Sequence, residues 1–170
     1  MRVKMCVLNK NDAEQYRRLS VESLLKEPSS FASSYEEEQN RSLCDIRNRI
    51  PENQESFIYG LFDKGILIGM IGFKREDKIK FKHKGFIWGV YISEDYRGQG
   101  FSKQMLRDTL IKAKNIPGLR QIQLTVAATN TSAKKLYESY GFKTFGYERE
   151  ALYVDGFFID EEHVVLHISK

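Results

Sequence analysis

A short glycine loop between an apolar run and an amphipathic segment is the part of the sequence best suited to chemistry. The loop is Arg97-Gly98-Gln99-Gly100-Phe101-Ser102, and it follows the apolar residues Val90-Tyr91-Ile92. Glycines between a strand and a helix expose backbone N–H groups, and the start of a helix adds a partial positive charge. The loop therefore predicts a binding site for an anion, and in particular for a phosphate group.

Two further residues are spaced so that they can join this loop. Asn130 follows the next predicted strand, and Tyr137 lies two helical turns later on the inward face of the last predicted helix. If the two strands are parallel neighbours, their carboxyl ends lie side by side, where open α/β sheets bind ligands. Simpler alternatives stay open at this point: a tight turn for the loop, a helix cap for Asn130, and a core position for Tyr137.

Taken together, these segments resemble the GNAT superfamily of N-acetyltransferases. The glycine loop is similar to the acyl-CoA pyrophosphate loop of that family, and the run from Asn130 to Phe142 matches its second signature. The segment from Leu25 to Glu38 and the tail from Glu148 to Glu161 resemble a bacterial branch of the family. One position departs from the pattern, because Ser102 stands where the family usually has Gly or Ala.

The resemblance implies acetyl-CoA as the acyl donor. In that reading backbone N–H groups of the loop hold the pyrophosphate, and Asn130 binds the pantetheine arm in the gap between splayed strands. The Ile92 N–H is implied to polarise the thioester carbonyl, and the Tyr137 hydroxyl to protonate the leaving thiolate. The residues implied for acetyl-CoA are Val90, Tyr91, Ile92, Arg97, Gly98, Gln99, Gly100, Phe101, Ser102, Lys103, Asn130 and Tyr137.

The acceptor site is less well defined by the sequence. The weaker candidates for binding the amine are Phe31, Tyr35, Glu36 and Trp88. Local packing is the simpler explanation for the aromatic residues, and Trp88 also suits a cleft wall. The amine must lose a proton before it attacks. Because the predicted strand Phe86–Ile92 carries no carboxylate, the candidates for that role are Glu36 or Glu37, His83 and ordered water.

The elements around these motifs predict a mixed α/β fold with the order β-α-α-β-β-β-α-β-α-β-β. Strands joined by hairpins predict a mostly antiparallel central sheet, and the strand–helix–strand unit at the glycine loop predicts a right-handed parallel crossover. The resemblance adds that this parallel pair is splayed. We therefore expect one α/β domain over residues 1–170, with helices on both faces. Asn11 and Glu14 form a predicted capping box, and strict alternation puts Trp88 and Ile92 on one strand face.

Composition narrows the class of protein. The 170 residues are 41% hydrophobic and 29% charged, which is typical of a globular chain with one core. No apolar run approaches the ~20 residues that span a bilayer, and the first residues lack the core of a signal peptide. A net charge of +4 permits an anionic ligand without indicating nucleic acid. Cys6 and Cys44 lack metal-ligand spacing and are predicted to be buried free thiols, so we expect a cytoplasmic protein without a metal.

The leading hypothesis is an N-acetyltransferase that moves acetyl from acetyl-CoA to a primary amine on a small molecule or a peptide. Direct attack within a ternary complex is favoured, because neither cysteine lies near the motifs to carry the acyl group. The alternative is a non-catalytic acyl-CoA-binding module that senses or regulates. A dinucleotide-binding domain is excluded because the loop is central and Lys103 occupies its third glycine position. A homodimer built through the terminal strands is an open alternative for the oligomeric state.

Overall fold

Hairpins build the first part of the sheet. The computed structural model describes residues 3–169. The first four strands pair in antiparallel order and are β1 (Val3–Val7), β2 (Ser56–Asp63), β3 (Ile66–Arg75) and β4 (Lys84–Ile92). Lys64 and Gly65 turn the chain between β2 and β3 with φ of 48° and 83°. Positive φ at both central residues matches the right-handed twist of the flanking strands, as the turn residues predict.

A crossover then joins the second part of the sheet. Its strands are β5 (Gln121–Ala127), β6 (Lys143–Val154) and β7 (Phe157–His167), and the full order is β1-β2-β3-β4-β5-β7-β6. β4 and β5 are parallel, whereas every other neighbouring pair is antiparallel. The predicted mixed sheet with one parallel pair is confirmed.

Helices cover both faces of the sheet, also as predicted. They are α1 (Ala13–Lys26), α2 (Tyr35–Gln39), α3 (Leu43–Arg49), α4 (Phe101–Lys114) and α5 (Thr131–Ser139). Tyr16 and Leu19 of α1 and Ile46 of α3 belong to the core on one face. Residues of α4 and α5, with Met105 at the centre, belong to the core on the other. None of the helices within residues 3–169 has the length and apolar character needed to cross a bilayer.

The helix ends agree with the sequence only in part. Ser42 caps α3 by accepting a hydrogen bond from the Asp45 amide at 3.0 Å, as its spacing predicts. The capping box predicted at Asn11 is wrong. A 3₁₀ turn precedes α1, and the reciprocal bonds form two residues earlier, between Asn9 and Asp12. The acidic run Glu36-Glu37-Glu38 lies in the short helix α2.

A β-bulge at Gly89 overturns the strict alternation expected along β4. Met70 of β3 pairs with Tyr91, but Gly72 pairs with Trp88, so β4 carries one extra residue between these pairs. Gly89 has a φ of 63°, which glycine adopts without a Cβ penalty. Beyond the bulge the faces exchange. Trp88 and Tyr91 therefore share the core under α1, whereas Ile92 belongs to the core under α4.

The predicted burial of the two thiols is wrong. Cys6 and Cys44 are both free and both exposed. Cys6 lies on β1, an edge strand of the sheet, and Cys44 lies in the first turn of the short helix α3. Neither position faces a core, because β1 has no fully buried residue and α3 buries only Ile46.

Replacement of Gly72 by alanine tests the packing around the bulge. A Cβ at this position would collide with the Trp88 indole, so the ring or the strand must move. We expect Gly72→Ala to lower the free energy of unfolding by about 1–3 kcal/mol. The control is Gly146→Ala, whose new Cβ would meet its nearest neighbour, His163, at 3.6 Å. Urea unfolding followed through the single tryptophan measures both; equal stability of the two variants would contradict the packing assignment.

Candidate active site

A cleft opens where β4 and β5 separate. Their parallel pairing covers only Lys84–Phe86 with Gln121–Gln123, and beyond it the two strands line a cavity of about 810 Å³. The residues predicted for acetyl-CoA that line this donor cleft are Val90, Tyr91, Ile92, Arg97, Gly98, Gly100, Phe101, Ser102, Lys103, Asn130 and Tyr137. Gln99 does not line it, because its side-chain amide turns back and donates to the Asp95 carbonyl at 3.2 Å.

The glycine loop has the geometry of an anion-binding loop. Gly98 and Gly100 have φ of 71° and 84°, both left-handed, and Gly100 is the residue directly before α4. A Cβ at either glycine would meet no atom within 4 Å, so the loop has a free side. The first amides of α4 have no partner within the helix and carry its positive dipole end. Lys103 and Lys135 add ammonium groups to the cleft lining. These groups fit a pyrophosphate.

Arg97 fixes the loop to the end of β4. Its Nε donates to the Ile92 carbonyl at 2.9 Å, and its Nη1 pairs with Glu27 at 2.8 Å. The guanidinium also lies over the Tyr91 ring, 5.4 Å from the ring centre. Arg97 therefore holds the loop against the strand and against the segment after α1.

The backbone of Ile92 faces the gap between the strands. The next amide, that of Ser93, donates to the Ile68 carbonyl of β3 at 2.9 Å. Because successive N–H groups of a strand point to opposite edges, the Ile92 N–H points away from β3 and toward β5. Parallel pairing has already ended there, so this N–H has no strand partner in the described part of the chain. It is free to polarise a carbonyl oxygen.

Tyr137 and Asn130 enter the cleft from α5. Tyr137 is 6% exposed, and burial raises the pKa of its hydroxyl to about 12. Its ring packs edge-on against Phe142, with ring centres 5.9 Å apart. Asn130 caps α5 by accepting a hydrogen bond from the Ala133 amide at 3.1 Å. The cap uses only its oxygen, so the side-chain NH₂ group is available to a ligand in the cleft.

A second cavity, of about 350 Å³, adjoins the donor cleft. We call it the acceptor pocket. It lies between α1, the segment after α1 and the sheet, and Trp88, Gly89 and Thr125 line both cavities. Of the residues predicted to bind the amine, Phe31 and Trp88 line this pocket, but Tyr35 and Glu36 do not.

The direction of α2 explains why the acidic run contributes so little. Ser34 and Glu37 cap α2 reciprocally, which lowers the pKa of the exposed Glu37 carboxyl. Glu38 is buried instead, and it pairs with Arg41 and Arg49 at 3.3 Å and 3.0 Å. Tyr35 and Glu36 lie outside the pocket lining.

His83 is too far from the cleft to act as the base. It directly precedes β4, whereas the donor cleft lies at the other end of that strand. The length of β4 separates His83 from Ile92 at the far end of the strand, about 25 Å at the usual rise per residue.

Sequence reasoning missed several residues of the two cavities. They are Glu27, Lys135 and Thr125, which line the donor cleft. Lys135 could have been found from its place on α5, two residues before Tyr137. For the run Asp160-Glu161-Glu162 the sequence left two interpretations open, a solvated stretch or a border of the acceptor site, and the pairing of β7 with β5 brings Glu161 to the pocket.

Comparison with known sequences and structures agrees with this geometry. A sequence model of the acetyltransferase (GNAT) family matches residues 19–142, more than half of the chain. The chain belongs to the GNAT family. An uncharacterized N-acetyltransferase of Bacillus subtilis, YycN, is 40% identical over 62 residues. That match spans 36% of this chain and 39% of the relative's length.

Solved structures share the fold over nearly the whole chain. A GNAT acetyltransferase from Streptococcus pneumoniae superposes with a TM-score of 0.86 at 20% identity, covering 98% of this chain and 100% of that one. The Salmonella typhimurium protein yncA, solved with its cofactor acetyl-CoA, gives 0.83 at 15% identity and covers 100% and 96%. At these identities the likeness shows the GNAT fold alone.

Within residues 3–169 no cluster of His, Cys, Asp or Glu could hold a metal ion.

Substitution of Gly100 tests the loop as a binding site for CoA. Gly100→Val places a branched side chain in the open space before α4 and also strains a backbone with φ of 84°. We expect CoA affinity to fall about 10- to 100-fold, the loss of one charge-assisted hydrogen bond. Gly156→Val is the matched control, because Gly156 has φ of 86° and equally open space at the β6–β7 turn. Titration calorimetry with CoA measures both, and unchanged affinity in Gly100→Val would reject the loop assignment.

Proposed function

We propose that this GNAT protein transfers an acetyl group from acetyl-CoA to a primary amine. The observation that carries the proposal is the meeting of two cavities at Trp88, Gly89 and Thr125. The donor cleft has a phosphate-binding loop at one end, and the acceptor pocket joins it where β4 and β5 separate. Such an arrangement brings two different ligands together at one point, as a bimolecular transfer requires.

The donor would lie along the separated strands. The amides around Gly98 and Gly100 would hold its pyrophosphate, with Lys103 and Lys135 balancing charge. The pantetheine arm would run along the open edge of β4 as an added strand does, and the Asn130 amide would bind it. Acetyl-CoA supplies an activated thioester with a good leaving group, so the chain's own residues chiefly hold and polarise it.

Two groups of the chain would assist the chemical step. The Ile92 N–H would donate to the thioester carbonyl oxygen as negative charge develops there. The Tyr137 hydroxyl would donate to the sulfur. Burial raises the pKa of this hydroxyl to about 12, which keeps its proton in place at neutral pH. A thiol has a pKa of about 8.5, so Tyr137 is a weaker acid than the thiol that it would form. Tyr137 can therefore protonate the thiolate fully only if it receives a proton from the amine in exchange.

Direct transfer is favoured over an acyl-enzyme route. A covalent route needs a nucleophile within reach of the thioester. Cys6 and Cys44 line neither cavity, and both lie on elements away from the separated strands. The acceptor and the donor would therefore be bound together when transfer occurs.

A non-catalytic acyl-CoA sensor is the alternative function. A sensor needs the donor cleft but has no need of an acceptor pocket that opens onto the reactive end. Release of free thiol from acetyl-CoA, followed colorimetrically with a panel of small amines and lysine peptides, separates the two. Amine-dependent thiol release together with acetylated product supports the enzyme, and tight acetyl-CoA binding without turnover on any amine supports the sensor.

Removal of the Tyr137 hydroxyl tests its assigned role. Tyr137→Phe keeps the buried ring and its contact with Phe142 but removes the proton donor, so we expect kcat to fall about 100-fold. CoA affinity should change little, because the ring still lines the cleft. Tyr153→Phe is the control, since this exposed tyrosine lies far along β6 near the turn. Steady-state kinetics with calorimetry measures both quantities, and an unchanged kcat would show that Tyr137 does not act as the acid.

A further inference from the structure

Glu161 is a carboxylate without a partner in the lining of the acceptor pocket. It is half-buried on β7, and in residues 3–169 its oxygens make no hydrogen bond or ion pair. Its two neighbours are both engaged. Asp160 accepts from the Tyr147 hydroxyl at 2.7 Å and from the Glu150 amide at 2.8 Å, and Glu162 pairs with Lys134 at 2.6 Å. Glu161 is therefore the acid of this run that is open to a ligand.

The strand register explains where Glu161 points. Residues of β7 alternate between faces, and Glu162 contacts Lys134 of α5. Glu161 and His163 consequently face the opposite side, toward the acceptor pocket. Thr125 of β5 pairs directly with His163, and its hydroxyl lies 3.3 Å from the His163 Nδ1. Thr125 lines both cavities, so Glu161 lies close to where they meet.

The charged groups around Glu161 leave its carboxylate available as a base. Glu148 faces it across the β6–β7 pairing, but Glu148 is bonded to the His163 Nε2 at 3.0 Å. Across the pocket, the Glu38 carboxylate pairs with both Arg41 and Arg49, so that cluster carries one net positive charge and leaves Glu161 as the carboxylate open to an ammonium group. Burial, and then the negative charge of Glu148, raise the pKa of Glu161, whereas His163 lowers it. The first two causes prevail, and a carboxylate with a raised pKa holds a proton more strongly.

We propose that Glu161 binds the ammonium group of the acceptor and takes its proton, and that the acceptor is a small primary amine with an aromatic or other apolar body. This inference rests on the proposed acetyl transfer. The pocket supports the class of acceptor, because Leu24, Phe31, Met70 and Trp88 form apolar walls. Its volume of about 350 Å³ is at the lower end of small-molecule sites.

The protons balance in this scheme. The ammonium gives one proton to Glu161, which leaves a neutral amine beside the thioester. The nitrogen lone pair then forms the C–N bond to the carbonyl carbon, and the C–S bond breaks with its electrons on sulfur. A second amine proton ends on that sulfur through the Tyr137 hydroxyl. Glu161 returns its proton to solvent, so the products are the amide, the free thiol and one released proton.

Glu161→Gln tests the inference with 2-phenylethylamine as the probe. The change keeps the shape of the side chain but removes its charge, so we expect kcat/KM for the amine to fall about 100-fold at pH 7. CoA affinity by calorimetry and the melting temperature should stay unchanged. Glu14→Gln is the matched control, because this exposed acid begins α1 far from the pocket and its loss should leave kcat/KM unchanged.

The pH dependence separates a base from a structural residue. In the wild type, kcat/KM should be lost as pH falls through the pKa of Glu161, above its ordinary 4.5. In Glu161→Gln the rate depends on free amine in solution and should rise with pH toward the pKa of the amine, near 10. The ratio of wild type to variant should therefore shrink from pH 7 to pH 9. A constant ratio, or a parallel loss of CoA affinity, would overturn the role of Glu161.

The wild-type protein also separates this inference from the function on which it rests. Acetylation of ethanolamine or a lysine peptide in preference to 2-phenylethylamine would reject the apolar acceptor while leaving acetyl transfer intact. Acetylation of 2-phenylethylamine at equal rates by Glu161→Gln and wild type would reject Glu161 alone. If none of these amines causes release of thiol from acetyl-CoA, the proposed function and this inference would both be overturned.

Discussion

Parallel pairing between β4 and β5 ends after three residue pairs, and both cavities depend on that early separation. A continued ladder would satisfy every amide along the inner edges of the two strands and would close the sheet. The ladder ends at Phe86, and the bulge at Gly89 follows three residues later, where it adds a residue to β4 and increases the local twist. The freed amides are costly to bury without a partner. A ligand that runs along β4 as an extra strand would supply the missing partner. The open edge of β4 is therefore well suited to bind an extended ligand.

Several contacts hold the end of β4 in its separated position. Glu22 of α1 accepts hydrogen bonds from the Tyr91 hydroxyl at 3.1 Å and from the Ser93 hydroxyl at 2.7 Å. Arg97 binds the last carbonyl of the strand and stacks on Tyr91. These contacts tie helix α1, the strand end and the glycine loop into one connected unit. The same unit carries the wall of the acceptor pocket, so the distance between donor and acceptor is set by α1 packing as well as by the sheet.

The sequence predicts the parts of this arrangement that depend on local rules. Hairpin turns, helix faces and the glycine loop each follow from residues within a few positions of one another. The bulge at Gly89 was not predictable in this way, because alternation assumes a regular ladder and the extra residue shows only against β3. Tyr35 and Glu36 were assigned by proximity in sequence, but the cap at Ser34 turns α2 so that Glu38 is the buried acid. Glu161 depends on pairing between strands distant in sequence, which single-chain patterns do not reveal.

The gap in the sheet also places Tyr137 and Glu161, the two groups proposed to transfer protons, on opposite faces. Tyr137 belongs to the core under α4, whereas Glu161 faces the pocket under α1. A thioester held at the Ile92 amide would lie between them, in the passage from one face to the other. An amine would then approach the carbonyl carbon from the α1 face while sulfur departs toward the α5 face. The entering amine would meet the Glu161 carboxylate, which can accept a proton, and the leaving sulfur would meet the buried Tyr137 hydroxyl, which can donate one. In the proposed reaction, the separation of β4 from β5 would therefore fix the direction of transfer as well as the place where it occurs.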